Sequence, residues 1–318
     1  MARIVKTVKT VKTVAKTVRA SKTAKTVKVV KTVAKTVKTV APIDPIVSAM
    51  HSLHASAKAE ARKRYPKGYV VYEGPSLLTG APIVAILRFG KTRNAKTGPS
   101  AQLWILRADI DPVTASQSGR DDAICGTCPF MGIAREGRAE GNGCYVAKIF
   151  APLAIWRAYK NGSYPVATDA MLADKLAGKF LRLGAYGDPV ALPATLSVKL
   201  IGLADRHTAY THSWLESHAH EYKTFLMASC QSPRGAARAQ ALGWQTFRVK
   251  REGDALAPNE IACPASAEAG YRLDCSTCNV CRGAHRPGKV NVAINAHGPR
   301  AVLSNVLKII DRESAETN

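Results

Sequence analysis

The sequence predicts an α/β protein of about six parallel βα units, as an incomplete barrel or an open sheet, with an N-terminal β-hairpin region and a disordered basic tail. Two observations carry this. From Trp104 onward, short apolar runs alternate with helical stretches, the pattern of a parallel sheet with crossovers. Before that, residues 1–40 hold twelve Lys/Arg and no acid, in a degenerate Lys-Thr-Val repeat.

The tail comes first in the chain. Its valines recur mostly every three or four residues, roughly a helical spacing, but Val and Thr are β-branched and weak helix formers. A strand needs a period of two, which the tail lacks. Residues 1–41 therefore read as disordered in isolation, with a helix on a polyanion as the alternative. Of the formal charge of +23, twelve units sit here. The segment is expected to bind nucleic acid or another polyanion without sequence preference and in a salt-dependent way. It has no aromatic residue to offer base stacking. An expanded repeat of little consequence is the bland alternative. A transit peptide fits less well, because Arg3 and Arg19 are the tail's only arginines.

Pro42 and Pro45 close the tail, and residues 42–318 read as a single α/β domain. Residues 46–64 suggest a short helix. Strands are expected at 70–72 and 83–87 around a Glu-Gly-Pro-Ser turn, and at 102–106. A short helical stretch near 112–118 follows, then helices near 148–160 and 167–176. After them come a strand at 180–183, a helix at 193–205, and strands at 209–212 and 225–227. A helix at 236–242, strands at 244–248 and 290–294, and a helix near 299–309 complete the body.

In a parallel sheet the chemistry belongs at the carboxyl ends of the strands. Those ends carry Tyr186-Gly187-Asp188, His212, Arg248 and Asn295-Ala296-His297. Asp188, His212 and Arg248 are thus the catalytic candidates, and Tyr186 and Gly187 the cofactor-binding ones. Individually, Asp188 before proline is also a common turn, and His212 could be a satisfied core residue.

Seven of eight cysteines fall into two groups; Cys230 is left over. The first is Cys125, Cys128 and Cys144. The second is Cys263, Cys275, Cys278 and Cys281. The Cys-x2-Cys-x2-Cys run in the second occurs in ferredoxin-type loops, and with Cys263 it completes four thiolates for an iron–sulfur cluster. Zinc is the alternative, since thiolates are its usual structural ligands. The first group leaves one metal position open, so a cluster there could bind a small molecule; a zinc site completed by His297 or a carboxylate is the alternative. A single ribbon-like zinc site on Cys125, Cys128, Cys278 and Cys281 would leave three cysteines unexplained. Asp109, Asp111, Asp121 and Asp122 are carboxylates near one another in sequence, but nothing ties them into one nuclease site.

Segments including VVYEGPSL, ICGTCP, GNGCYV, RLGAYGDP, CPASAEAG and CSTCNVC resemble a phage and prophage family of unknown function, from about Val70 to about Gly298. The Cys-rich loop ending in Cys144-Tyr145 before a helix is also similar, distantly, to radical S-adenosylmethionine proteins. That resemblance implies an iron–sulfur cofactor with S-adenosylmethionine. The Cys-x2-Cys-x15-Cys spacing departs from the usual Cys-x3-Cys-x2-Cys. Two functions follow: a metalloenzyme of unknown substrate, or a zinc-stabilised nucleic-acid-binding protein.

An apolar fraction of 46% excludes a wholly disordered chain. No run approaches the ~18 apolar residues of a membrane span. Eight cysteines without a secretory signal point to reduced thiols, and the expected location is the cytoplasm, that of a bacterial host if the chain is phage-encoded.

Overall fold

The computed structural model describes residues 66–90, 95–270, 272–284 and 290–315, together with Ser52 and Ser56. The chain divides into two units, Met1–Glu60 and Ala61–Asn318. In the first, Ser52 and Ser56 are exposed helical positions. The Lys-Thr-Val tail and the rest of the helix expected at 46–64 lie outside the described residues.

The second unit is α/β, with parallel strands in both of its larger sheets, and neither sheet closes into a barrel. Strands β1 (Gly68–Pro75), β2 (Pro82–Arg88) and β3 (Ala101–Arg107) run antiparallel, and β1–β2 is the expected hairpin. Beside β3, β6 (Phe180–Tyr186) and then β7 (Arg206–Thr208) pair in parallel. The second sheet holds β8 (Tyr210–Thr211), β9 (Met227–Cys230), β10 (Thr246–Lys250), β12 (Asn291–Asn295) and β11 (Glu260–Ala262), parallel throughout. A small hairpin, β4 (Ile133–Arg135) with β5 (Arg138–Glu140), stands apart.

The chain crosses between the two sheets at Ala209. Its N–H donates to the Cys281 carbonyl at 3.1 Å, and its carbonyl accepts from Met227 N at 3.0 Å. One extended segment thus borders both sheets.

The helices start where local chemistry provides caps. α1 (Pro112–Gln117) begins under Asp111, whose Oδ1 accepts from Val113 N and Thr114 N, with proline in the first turn. α2 (Asp122–Cys125) is a single turn. α3 (Ala151–Lys160) and α4 (Asp169–Leu176) follow; Thr168 caps the second. α5 (Ala194–Leu203) joins β6 to β7, and Ser232 caps α6 (Pro233–Ala241) between β9 and β10. α7 (Cys275–Cys278) is one turn under Asp274, and α8 (Arg300–Ala315) closes the described chain.

Two of the expected strands begin two residues late. A 3₁₀ helix fills Ser217–Thr224, so β9 starts at Met227 rather than 225, and β10 starts at Thr246 rather than 244. Between β8 and β9, and between β10 and β12, the connections are not full α-helices.

The apolar core is in two parts. One surrounds Leu103, Ile105, Leu181, Leu183 and Leu200; the other joins Phe130, Val249, Val292, Ile294, Val306 and Ile309, with six of the grouped cysteines packed in or against it. Each fully buried aliphatic side chain is worth about 1.5–3 kcal/mol, so these parts fix the strand faces that build the site.

Candidate functional site

The site grows from alternation along three strands. On β6, Arg182, Gly184 and Tyr186 face one way while Leu181 and Leu183 enter the core. On the segment spanning the two sheets, Thr208, Tyr210 and His212 do the same; on β10, Phe247 and Val249 do. These side chains line one cavity of about 330 Å³. Cys125, Cys128 and Cys144 line it too, as do Cys263 and Cys275. Two cysteine groups some 120 residues apart in sequence therefore open onto the same space.

The first group is set by short-range devices. Cys125 ends α2, and Cys128 N donates back to the Cys125 carbonyl at 3.1 Å. Cys144 N donates to Asn142 Oδ1 at 2.8 Å, while the Asn142 carbonyl accepts from Asn305 on α8. Burial pushes the Cys125 thiol well up, and the neighbouring Cys128, Asp121 and Cys144 charges add to it. Burial, then Cys144, raises Cys128 in the same way.

In the second group, Cys263 follows β11 and its N–H donates to the Ala293 carbonyl at 2.8 Å. Cys275 and Cys278 bound α7. Burial raises Cys281, opposed by a hydrogen bond from Tyr210, and Cys263, Cys275 and Cys278 all raise it further. Cys275 is pushed up to about 11 by burial, with Arg182 pulling the other way. Cys278 and Cys281 do not line the cavity. All eight cysteines are free thiols. Among the described residues, no three His, Cys, Asp or Glu side chains stand in the arrangement of a single-ion site.

Asp188 faces the cavity, but its lone pairs are committed. Oδ1 accepts from Val190 N at 3.1 Å; Oδ2 accepts from Thr211 Oγ1 and His212 N, both at 2.9 Å. Its own N–H donates to the Ile124 carbonyl at 2.6 Å, next to Cys125. Asp188 thus staples the β6, β8 and α2 loops together. Burial raises its carboxyl to about 6 against the pull of those bonds. Gly187 has φ +81°, and a Cβ there would meet Ile105 at 2.7 Å, so only glycine lets this loop lie against β3.

His212 is held down to about 4 by burial, so it is neutral near pH 7. Its ring meets Phe130 edge-on at 5.3 Å, and Nδ1 lies 3.4 Å from the Gln231 amide. Tyr186 is buried, and its hydroxyl has no hydrogen-bond partner among the described residues.

Arg248 is placed elsewhere. It lies in mid-strand, not at the end of β10, and alternation turns it away from Phe247 and Val249. It forms a buried bidentate pair with Glu260, at 2.8 and 2.6 Å, and bonds the Ala255 carbonyl. The pair ties β10 to the segment that carries Cys263. Two of the loop acids are likewise spoken for: Asp109 pairs with Arg107, and Asp111 is a helix cap.

The strand-end argument missed Lys96, Phe130, Tyr145 and Arg182, which also line the cavity. Tyr145 stacks on His297, centroids 5.3 Å apart at 28°. A signal for Arg182 was present: a cation alternating with Leu181 and Leu183 must face something polar. Lys96 lies in a single 3₁₀ turn, Ala95–Thr97, too short to show a pattern of its own.

Family models, curated proteins and solved structures offer no match to this chain. No helix among the described residues is long and apolar enough to cross a membrane. The class of protein must therefore be argued from the site.

Proposed function

We propose that this is a Cys-rich metalloenzyme of phage type, similar to radical S-adenosylmethionine proteins, and that the cavity is its reaction chamber. The observation that carries the reading is the convergence of both cysteine groups, with Tyr186, Asp188 and His212, on one space.

The donor chemistry fits. Burial and mutual repulsion oppose ionisation of these thiols, and a bound cation reverses that balance by taking the thiolate as ligand. Thiolates around one zinc ion stand about 3.5–4 Å apart, and those around an iron–sulfur cube up to roughly twice as far. Cys125, Cys128 and Cys144 would hold one cluster, and Cys263, Cys275, Cys278 and Cys281 a second. An iron–sulfur cluster held by three thiolates supplies one-electron chemistry and an open position for a ligand such as S-adenosylmethionine.

The chain's own residues do the rest. The Asp188 staple keeps the Cys125 loop and His212 in register. His212, neutral, offers one ring nitrogen to a ligand without adding charge. Tyr186 offers its hydroxyl, a donor that the fold leaves unused. Gly187 allows the close approach of the loop. A finer reading of the fold goes with this proposal: with the β7–β8 segment counted as one position, β3, β6, β7–β8, β9, β10 and β12 would make six parallel positions of an incomplete barrel, with β11 outside β12.

The test is anaerobic purification followed by iron, sulfide and zinc quantitation. Brown protein with iron and acid-labile sulfide supports the proposal. Colourless protein with about one zinc per chain favours the second reading, a zinc-stabilised nucleic-acid-binding protein. That reading draws on the four mutually coupled thiols of the second group and on the basic tail.

A further inference from the structure

One wall of the cavity is cationic, and no element of the proposed metal chemistry requires it to be exposed. Arg182 extends from β6 into the cavity, and its Nε is buried without a hydrogen-bond partner among the described residues. Lys96 reaches the same space from the 3₁₀ turn Ala95–Thr97 before β3; its Nζ lies 3.1 Å from His297 Nε2. His297 Nδ1 lies 2.8 Å from the Asn295 carbonyl, which fixes Nδ1 as the donor and Nε2 as the acceptor for Lys96. The Lys96–His297 pair borders the cavity, and Glu268 also faces Lys96. Above this pair, the Tyr145 ring lies stacked on His297.

A guanidinium and an ammonium lining one cavity make a site for a phosphate or carboxylate. A stacked pair of flat rings at the same mouth adds a platform for a third flat ring. The two features select one class of small molecule that carries both an anion and a planar ring.

We propose that the cavity binds a nucleoside phosphate, its phosphate on Arg182 and Lys96 and its base against the Tyr145–His297 pair. This rests on the reading of the cavity as a reaction chamber and names its substrate class. The ligand chemistry has two sources, a free mononucleotide or the phosphorylated end of a nucleic-acid strand. The same two cations also face thiols of the second group, Arg182 toward Cys275 and Lys96 toward Cys263. The experiment must therefore separate ligand binding from metal holding.

The full chain, as purified, is titrated calorimetrically with a nucleoside, its 5′-monophosphate and inorganic phosphate. The monophosphate should bind more tightly than the nucleoside by roughly ten- to a hundred-fold, the scale of charge-assisted hydrogen bonds. Arg182→Gln and Lys96→Gln should each erase most of that difference at unchanged metal content. His297→Ala should weaken nucleoside and nucleotide alike. A paired titration with 5′-phosphorylated and dephosphorylated oligonucleotides cancels any contribution of the basic tail and assigns the source: a phosphate-dependent gain there points to strand ends, and its absence to free nucleotides. Equal affinity for nucleoside and monophosphate overturns the proposal. So does loss of metal in both Gln variants with the phosphate preference intact, which would make the cations partners of the thiolates alone. A protein that holds no metal but keeps the Arg182-dependent preference refutes the metalloenzyme reading and leaves this site standing.

Discussion

The two cysteine groups share a cavity but are built differently. Cys125, Cys128 and Cys144 come from loops between β3 and α3, pinned by backbone bonds and by Asn305 on α8. Cys263, Cys275, Cys278 and Cys281 belong to the region between β11 and β12, and the Arg248–Glu260 pair anchors its start. Cys281 also holds the crossing point of the two sheets, through its carbonyl on Ala209 N and its thiol on Tyr210. The second group is thus part of the framework, while the first hangs from it. On the proposed reading, a four-thiolate centre in the framework would have a stabilising role, and a three-thiolate centre on loops would exchange a ligand.

That contrast can be broken most forcefully at the ion pair. Glu260→Ala leaves Arg248 charged and buried, which should cost about 3–5 kcal/mol of stability. Chemical denaturation checks it. A loss below about 1 kcal/mol would mean that the second region is not anchored as described.

Next in size is Cys278→Ser against Cys128→Ser. Loss of Cys278 should lower bound metal and also soluble yield and melting temperature, because a structural centre contributes folding energy. Loss of Cys128 should lower metal with a smaller change in melting. Elemental analysis and calorimetry on both variants decide; unchanged metal in either sinks the corresponding centre.

A smaller effect concerns His212. Its folded value near 4 lies below the ordinary 6.5, so on acidification from about 6.5 to 4 the unfolded chain takes up a proton and the folded one does not. Stability is lost as pH falls, at a slope approaching ~1.4 kcal/mol per pH unit. Asp188, raised to about 6 from 3.8, has the opposite sign: its contribution weakens as pH rises from about 4 to 6. His212→Gln should therefore gain stability relative to the parent as pH falls through this window. A difference that does not change with pH would show that the imidazole titrates as it does in water.

The smallest effect on the fold is expected from the tail. Deleting residues 1–40 removes twelve positive charges. The melting transition should hold, while affinity for DNA and its salt dependence both fall. A lost transition would make the tail part of the fold.

Much of the framework was legible because burial writes a period into sequence. Leu181, Leu183, Val292 and Ile294 mark their strands, and Asp111, Thr168 and Ser232 mark helix starts, through forces that act within a few residues. The two cysteine groups were legible for a similar reason, since their spacing is local. Boundaries were less so: Ser217–Thr224 carries no helical stripe, and it forms a 3₁₀ helix against the core.

The sequence by itself determined an α/β chain with a basic tail and two separate sets of thiols. Only the tertiary structure decided that the two sets face one cavity, since convergence depends on sheet pairing across more than 100 residues. It also decided which polar strand residues face that cavity. Arg248 and Arg182 are both arginines in apolar strands, and nothing local distinguishes them. One is turned by its strand's register onto Glu260 and neutralised; the other is turned to line the cavity.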